Sequence, residues 1–456
     1  TAPAGAEMRD NMYRFPEGFY TDVREETLAA TTITIENGVL RENKTKREKG
    51  VIVRLYDGKK WYISSTTKCG HVQEEIDSLA RMAVPCPEID DDPVVLRYEV
   101  NRERSLRYTD CDVSKVPVKD KLSAMESYCR CLDSCGEIPQ WKVYYVDNHT
   151  CKHIVSSKGC DVTFDTQNCC IAPRYVLMKE DKPFYGRLDI YRMKFDELSG
   201  HEEELRAQIR EDIFYKEHAV PVEPGEYTCI FSPEVTGVFA HESFGHKSES
   251  DFMVGDENMK REWAIGTRVG AELLNIVDTG LEEGSGYVPF DDEGTRAKKT
   301  WLIRDGILTG RLHSAATAAA LDEELTGNAR SIGFLFEPIV RMTSTYVEPG
   351  KCTRDELFAD VKKGIFLSDY NHGSGMSTFT IAPNKAYMIR DGKLAEPVKI
   401  SVVTGNVMST LHEIDGVSRE FKLCSFALGG CGKMEQFPLR VGMGGPYVRV
   451  KRLTVQ

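Results

Sequence analysis

His241-Glu242-Ser243-Phe244-Gly245-His246 gathers two imidazoles and a carboxylate into six residues, the side chains from which a hydrolytic zinc site is built. Zinc in such sites takes a few protein ligands and keeps one position for water, whose proton a neighbouring glutamate can accept during attack on a carbonyl. His241 and His246 are the candidate ligands, and Glu242 is placed as the base. The interval between the histidines is five, whereas the common zincin signature H-E-x-x-H sets them four apart on one helical face. At about 100° per residue, five steps carry the second imidazole roughly 140° from the first, so a straight helix cannot aim both at one ion. A metal site therefore requires the helix to end or distort between them, and Gly245, open to backbone conformations closed to other residues, is the expected break. The apolar run Val238-Phe239-Ala240 puts His241 at the end of a buried turn. The alternative is two unrelated histidines on a surface helix.

The elements that would position such a site fall into two parts, as suits a chain of 456 residues. In residues 1–220, Thr31-Thr32-Ile33-Thr34-Ile35 alternates ahead of Asn37-Gly38, and Val51–Tyr56 meets Trp61-Tyr62-Ile63 across Asp57–Lys60; both are hairpin signals. Leu205, Ile209 and Ile213 then fall on one face of an amphipathic helix, which Pro221-Val222-Glu223-Pro224-Gly225 ends. In residues 221–456 hairpins dominate, with Asp305-Gly306 and Asp391-Gly392 as their turns. The fold class expected is α+β: a mixed α/β N-terminal domain and a largely antiparallel β C-terminal domain carrying the zinc helix. The glycine-rich stretch Gly442-Met443-Gly444-Gly445-Pro446 is expected at a sheet edge, where an extended chain can add by main-chain hydrogen bonds.

After His246 come eight residues and then Gly255-Asp256, giving H-E-x-x-x-H-x8-G-D, which resembles the signature of the TldD/PmbA family of zinc peptidases, once called modulators of DNA gyrase. Val288-Pro289-Phe290-Asp291-Asp292-Glu293-Gly294, Thr326–Arg330, Arg341–Tyr346, Gly429-Gly430-Cys431-Gly432-Lys433 and Gly442–Pro446 look like further blocks of that family, so the resemblance covers most of the chain after Pro221. It implies that Cys431 completes the zinc site with His241 and His246, one Zn2+ per chain. It also implies that a chain keeping the histidine motif is the catalytic TldD type, acting on peptides or unfolded polypeptide as a homodimer or as a heterodimer with a related subunit. The implied fold agrees with the two-part reading. A thiolate ligand makes the metal-bound water less acidic than three imidazoles would, which raises the importance of Glu242.

Around the motif, Asp256 and Asp251 are candidates to accept the free ring N–H of a metal-bound histidine. Asp256 is preferred because it belongs to the signature, the alternative being that Gly255-Asp256 only ends the helix. Asp291, Asp292 and Glu293 either orient the site or decorate a hairpin, and decoration is the preferred reading. His372, within Asn371–Gly375, could reach an oxyanion from a polar loop or simply be solvated. Cys129, Cys131, Cys135, Cys151, His153, Cys160, Cys169 and Cys170 could form a second metal site or redox pair, but their spacing fits no paired C-x-x-C pattern.

With 59 basic and 71 acidic residues the formal charge is −12, which opposes nucleic-acid binding, since phosphate contacts come from Lys and Arg. The basic run Arg41–Lys49 is interrupted by Glu42 and Glu48 and reads as a solvated hairpin end. Fourteen cysteines, about 3% of the chain, fall below the 8–10% of disulfide scaffolds. No apolar stretch approaches the roughly 20 residues needed to span a bilayer. The start, Thr1-Ala2-Pro3-Ala4-Gly5-Ala6-Glu7, lacks the regions of a secretory signal. A cytoplasmic zinc peptidase is thus expected, with no nucleic-acid or membrane partner. The alternatives are a zinc hydrolase of another amide and a non-catalytic partner subunit.

Overall fold

The computed structural model describes residues 12–179, 182–375 and 377–456, so the Thr1–Glu7 start lies outside the described residues. Turn chemistry and alternation build a long meander first. Strands Tyr20–Glu36 and Val39–Tyr56 pair antiparallel across Asn37-Gly38, both at positive φ, as a two-residue hairpin turn requires. Trp61–Thr66 follows, with Trp61 opposite Tyr56. Gln140–Ser156 and Asp161–Lys179 extend the other side, and three short strands complete an eight-stranded sheet. Helices Val118–Asp133 and Glu202–His218 bury Met125, Tyr128, Leu132, Leu205 and Ile209 against Trp141, Val143, Tyr145 and Ile171. The helix expected around Leu205, Ile209 and Ile213 is present. It also buries Asp212, against the apolar period, because Tyr175 and Lys385 donate to that carboxylate at 2.6 and 2.9 Å. Arg41–Lys49 forms the exposed outer half of a strand, where charge discourages edge-to-edge pairing.

The second sheet has twelve strands, most of them paired antiparallel, and the whole is α+β. Asp305-Gly306 and Asp391-Gly392 both close hairpins at positive φ, as expected. At its centre, strand Gly442–Val455 lies between Ser344–Val347 and Gly225–Phe231, with Ile414–Cys424 also paired along it. The expectation of a free edge at Gly442–Pro446 fails here: Ser344 to Tyr346 pair with Gly442 to Gly444 on one side, and Phe421 to Cys424 pair on the other. The glycines serve a different need. Helix Pro233–Ala240 crosses this strand so closely that a Cβ on Gly237 would lie 2.6 Å from the Gly444 nitrogen.

Buried charge joins the two sheets. Asp292 takes Arg24 at 3.1 Å and Lys152 at 2.6 Å, while Glu293 takes Arg54 at 3.2 Å and the Tyr98 hydroxyl at 3.3 Å. Asp291 accepts the backbone N–H groups of Glu293, Thr295 and Ala329. All three acids are buried, so the reading of this block as decoration is corrected. Its cations, Arg24, Arg54 and Lys152, lie far away in sequence, on the strands of the first sheet.

Candidate metal centre

The histidine motif begins on a well-started helix. Ser232 caps it by accepting the Val235 N–H, and Pro233 occupies the first turn, where its missing donor costs nothing. Ordinary α geometry runs to Ala240, then widens: the N–H of His246 donates to the carbonyl of His241, and His241–Gly245 forms one π turn before a 3-10 turn at His246–Ser248. An i→i+5 turn stacks residues five apart on the same side, which resolves the spacing problem, and such bulges recur at functional sites. The expected distortion is present, but not through Gly245 conformation. Gly245 is helical at φ −57°, and glycine is required because a Cβ there would sit 2.1 Å from Met342 Sδ.

Cys431 comes from the opposite direction. It opens a small hairpin, Cys431–Lys433 with Gln436–Leu439, and the buried Arg341 guanidinium donates to its carbonyl at 2.8 Å. The donor atoms of His241, His246 and Cys431 all lie within 4.8 Å of one another, the only such group of three among the described residues. Cys431 Sγ stands 3.7 Å from His246 Nε2, close to the roughly 3.5 Å separation of a tetrahedral sulfur–nitrogen pair at ordinary zinc bond lengths. The two imidazole planes cross at 80° with centroids 5.0 Å apart. His241 is 2% exposed, and its Nδ1 has no hydrogen-bond partner among the described residues. Burial alone would push the Cys431 thiol up, but hydrogen bonds from and proximity to His241 and His246 outweigh it and bring the thiol down to about 5. Burial likewise opposes charge on His246, yet Cys431 and Glu249 raise it to about 10. A convergent thiolate and two imidazoles, held mostly from water, form a donor set suited to zinc.

Behind these donors stands a residue the sequence did not single out. Glu249, fully buried, accepts from His246 Nδ1 at 3.1 Å and from Lys433 Nζ at 3.2 Å. Burial raises its carboxyl pKa, but His246 and Lys433 more than compensate and hold it below the usual range. With Glu249 holding the proton on Nδ1, Nε2 is the nitrogen that would give up its proton to a metal, which is the tautomer that a ligand histidine needs. The only trace in the sequence was an acid three residues after His246. Asp256, expected in this position, instead caps helix Glu257–Glu262 by accepting from Asn258 and Met259. Gly255, just before it, turns the chain at φ +86°. Asp251 accepts from Lys433 Nζ at 2.7 Å.

Glu242 is half-buried on the π turn, and its carboxylate makes no hydrogen bond or ion pair among the described residues. Strand Lys363–Gly375 passes beside it: a Cβ on Gly373 would lie 3.6 Å from Glu242 Cγ, and one on Gly375 would lie 3.2 Å from the Glu242 carbonyl. His372 is exposed and sits in this strand opposite Ala382, not in a loop. The Cys129–Cys170 set does not converge. Cys129 and Cys131 lie on helix Val118–Asp133, Cys169 and Cys170 lie on a strand, and burial pushes all four thiols up.

Known proteins share this architecture. The family model of the PmbA/TldA metallopeptidase C-terminal domain matches residues 224–456, and that of PmbA/TldA metallopeptidase domain 1 matches residues 21–84. A metalloprotease of Methanothermobacter thermautotrophicus is 30% identical over 442 residues, 96% of this chain and 95% of that one. The zinc metalloprotease TldD homolog of Saccharolobus solfataricus is 35% identical over 235 residues, 51% of this chain and 52% of its own. The crystal structure of TldE from Thermococcus kodakarensis superposes with a TM-score of 0.74 at 15% identity, covering 96% of each chain. Among the described residues no helix is long and apolar enough to cross a membrane.

Proposed function

Because the chain belongs to the PmbA/TldD metallopeptidase family, we propose that it is a zinc-dependent peptidase that hydrolyses peptide bonds in peptides or unfolded polypeptide segments. His241, His246 and Cys431 hold one zinc ion per chain, and Glu242 is the general base. The observation that carries this reading is the convergence within 4.8 Å of donors from a helix and from a hairpin 185 residues further along.

A zinc ion at such a centre supplies Lewis acidity toward water and toward a carbonyl oxygen. Glu242, with no competing partner among the described residues, accepts the proton of the attacking water and returns it to the amine nitrogen as the C–N bond breaks. Glu249 keeps the His246 ring in its orientation and tautomer. His241 and Cys431 are 2% and 5% exposed, so a scissile bond must be carried into a recess. An extended segment can enter it, whereas a compact domain cannot. The chain works in the cytoplasm as a homodimer or beside a related subunit, for which sedimentation of the pure protein is the check.

The test offers one small protein in native and permanently destabilised forms. Cleavage is expected for the destabilised form alone, lost with a chelator and restored by zinc. Cleavage that survives chelation, or that proceeds equally on both forms, contradicts the proposal.

A further inference from the structure

Lys433 lies two residues beyond Cys431, on the same short strand, and its ammonium is buried. All three of its protons are directed: to Glu249 Oε2 at 3.2 Å, to Asp251 Oδ1 at 2.7 Å and to the Val340 carbonyl at 2.9 Å. Its charge also stands 4.5 Å from the centre of the Phe252 ring. Glu249 in turn holds His246 Nδ1. The two arms of the metal centre, one a helix end and the other a hairpin, are therefore joined by side-chain contacts from His246 through Glu249 to Lys433, which stands two residues along the strand from Cys431.

We propose that Glu249 and Lys433 form a brace that couples the histidine arm to the cysteine arm, so that zinc affinity depends on the pair as a unit. This rests on the metallopeptidase reading above. Neither residue touches substrate; both are positioning residues. Without the Lys433 ammonium, Glu249 loses one of its two partners and is left beside Asp251 with the His246 ring alone, so its own orientation is no longer fixed from both sides. The Cys431 strand at the same time loses its tie to the segment that follows His246. Partners of ligand residues that act this way typically account for 10–100-fold in metal affinity.

The experiment is chelator competition for zinc on the full chain, comparing the parent with Glu249→Gln, Lys433→Met and the double variant, with melting curves recorded beside each. Each single variant should weaken zinc binding about 10–100-fold, and the double variant should lose no more than the worse single one, since both break one chain of contacts. Cys431 should become open to alkylation at zinc concentrations that still protect it in the parent. Glu249→Gln keeps the side-chain volume, so it remains informative if Lys433→Met does not fold. Affinities within about twofold of the parent in folded variants, or losses that add in the double variant, overturn the brace while leaving the metal site intact. A parent chain that takes up no zinc, or takes it up equally after Cys431→Ala, overturns the metallopeptidase reading and the brace with it.

Discussion

Two buried clusters of polar side chains lie in the second half of the chain, and they differ in what they lack. In the block Asp291–Glu293 every charge is answered by protein: Arg24 and Lys152 meet Asp292, Arg54 meets Glu293, and backbone N–H groups meet Asp291. At His241, His246 and Cys431 the donors face one another, and no lysine or arginine among the described residues hydrogen-bonds the thiol or the His241 ring. The first cluster is complete and fastens two sheets together. The second turns ligand-type donors from two distant segments on one another, which is how a candidate cation site differs from a structural ion-pair network.

The sharpest way to break this contrast is to remove a member of each. His241→Ala or Cys431→Ala should release zinc and abolish hydrolysis while the fold survives; metal content and a melting curve measure both. In the complete cluster the effect should fall on stability instead. Asp292→Ala leaves Arg24 and Lys152 with only the more distant Glu26 as their anion, at 3.9 and 3.7 Å, and removing one partner of a buried pair costs about 3–5 kcal/mol. Denaturant unfolding reads this loss. Zinc content per folded chain should stay unchanged, and a loss of zinc there would merge the two clusters into one functional unit.

Acid should separate them as well. The charges of Arg24 and Lys152 overcome the effect of burial and hold the Asp292 carboxyl far below its ordinary range. Its folded pKa therefore lies under the unfolded value, so its contribution to stability is complete above about pH 4. That contribution is withdrawn only as pH falls further, toward the folded value. Protons compete with metal for the imidazoles and the thiolate at milder acidity. On acidification, zinc release should precede unfolding, as tracked by a zinc indicator beside circular dichroism. Unfolding that comes first would contradict the assignment of the two clusters.

A smaller effect is expected where a glycine only makes room. Gly245→Ala places a methyl against Met342 Sδ, so the π turn must shift or the thioether must move. Zinc affinity should fall modestly, and Met342→Ala should restore it; failure of that rescue would show that Gly245 matters for another reason.

The contrast also explains what could be read from sequence. The Asn-Gly and Asp-Gly hairpins, the helix around Leu205 and Ile209, and the need for a distortion between His241 and His246 are local properties, set by turn chemistry and periodicity. Glu249 was hidden because three acids follow His246 within ten residues, and only the 3-10 turn selects which one meets the ring. The acidic block was misread because its cations, Arg24, Arg54 and Lys152, are more than a hundred residues away. Gly442–Pro446 reads as an edge because nothing in the local sequence reveals the strands Ser344–Val347 and Ile414–Cys424 that pair with it on either side.

In the proposed mechanism His241, His246 and Cys431 hold the metal while Glu242 does the proton transfer, and Glu242→Gln separates these roles in one protein. Bound zinc and turnover of a mixed peptide library, measured on the same preparation, should show one zinc per chain retained and a rate lower by about 10²–10⁴-fold. Zinc retained with turnover undiminished would contradict the account.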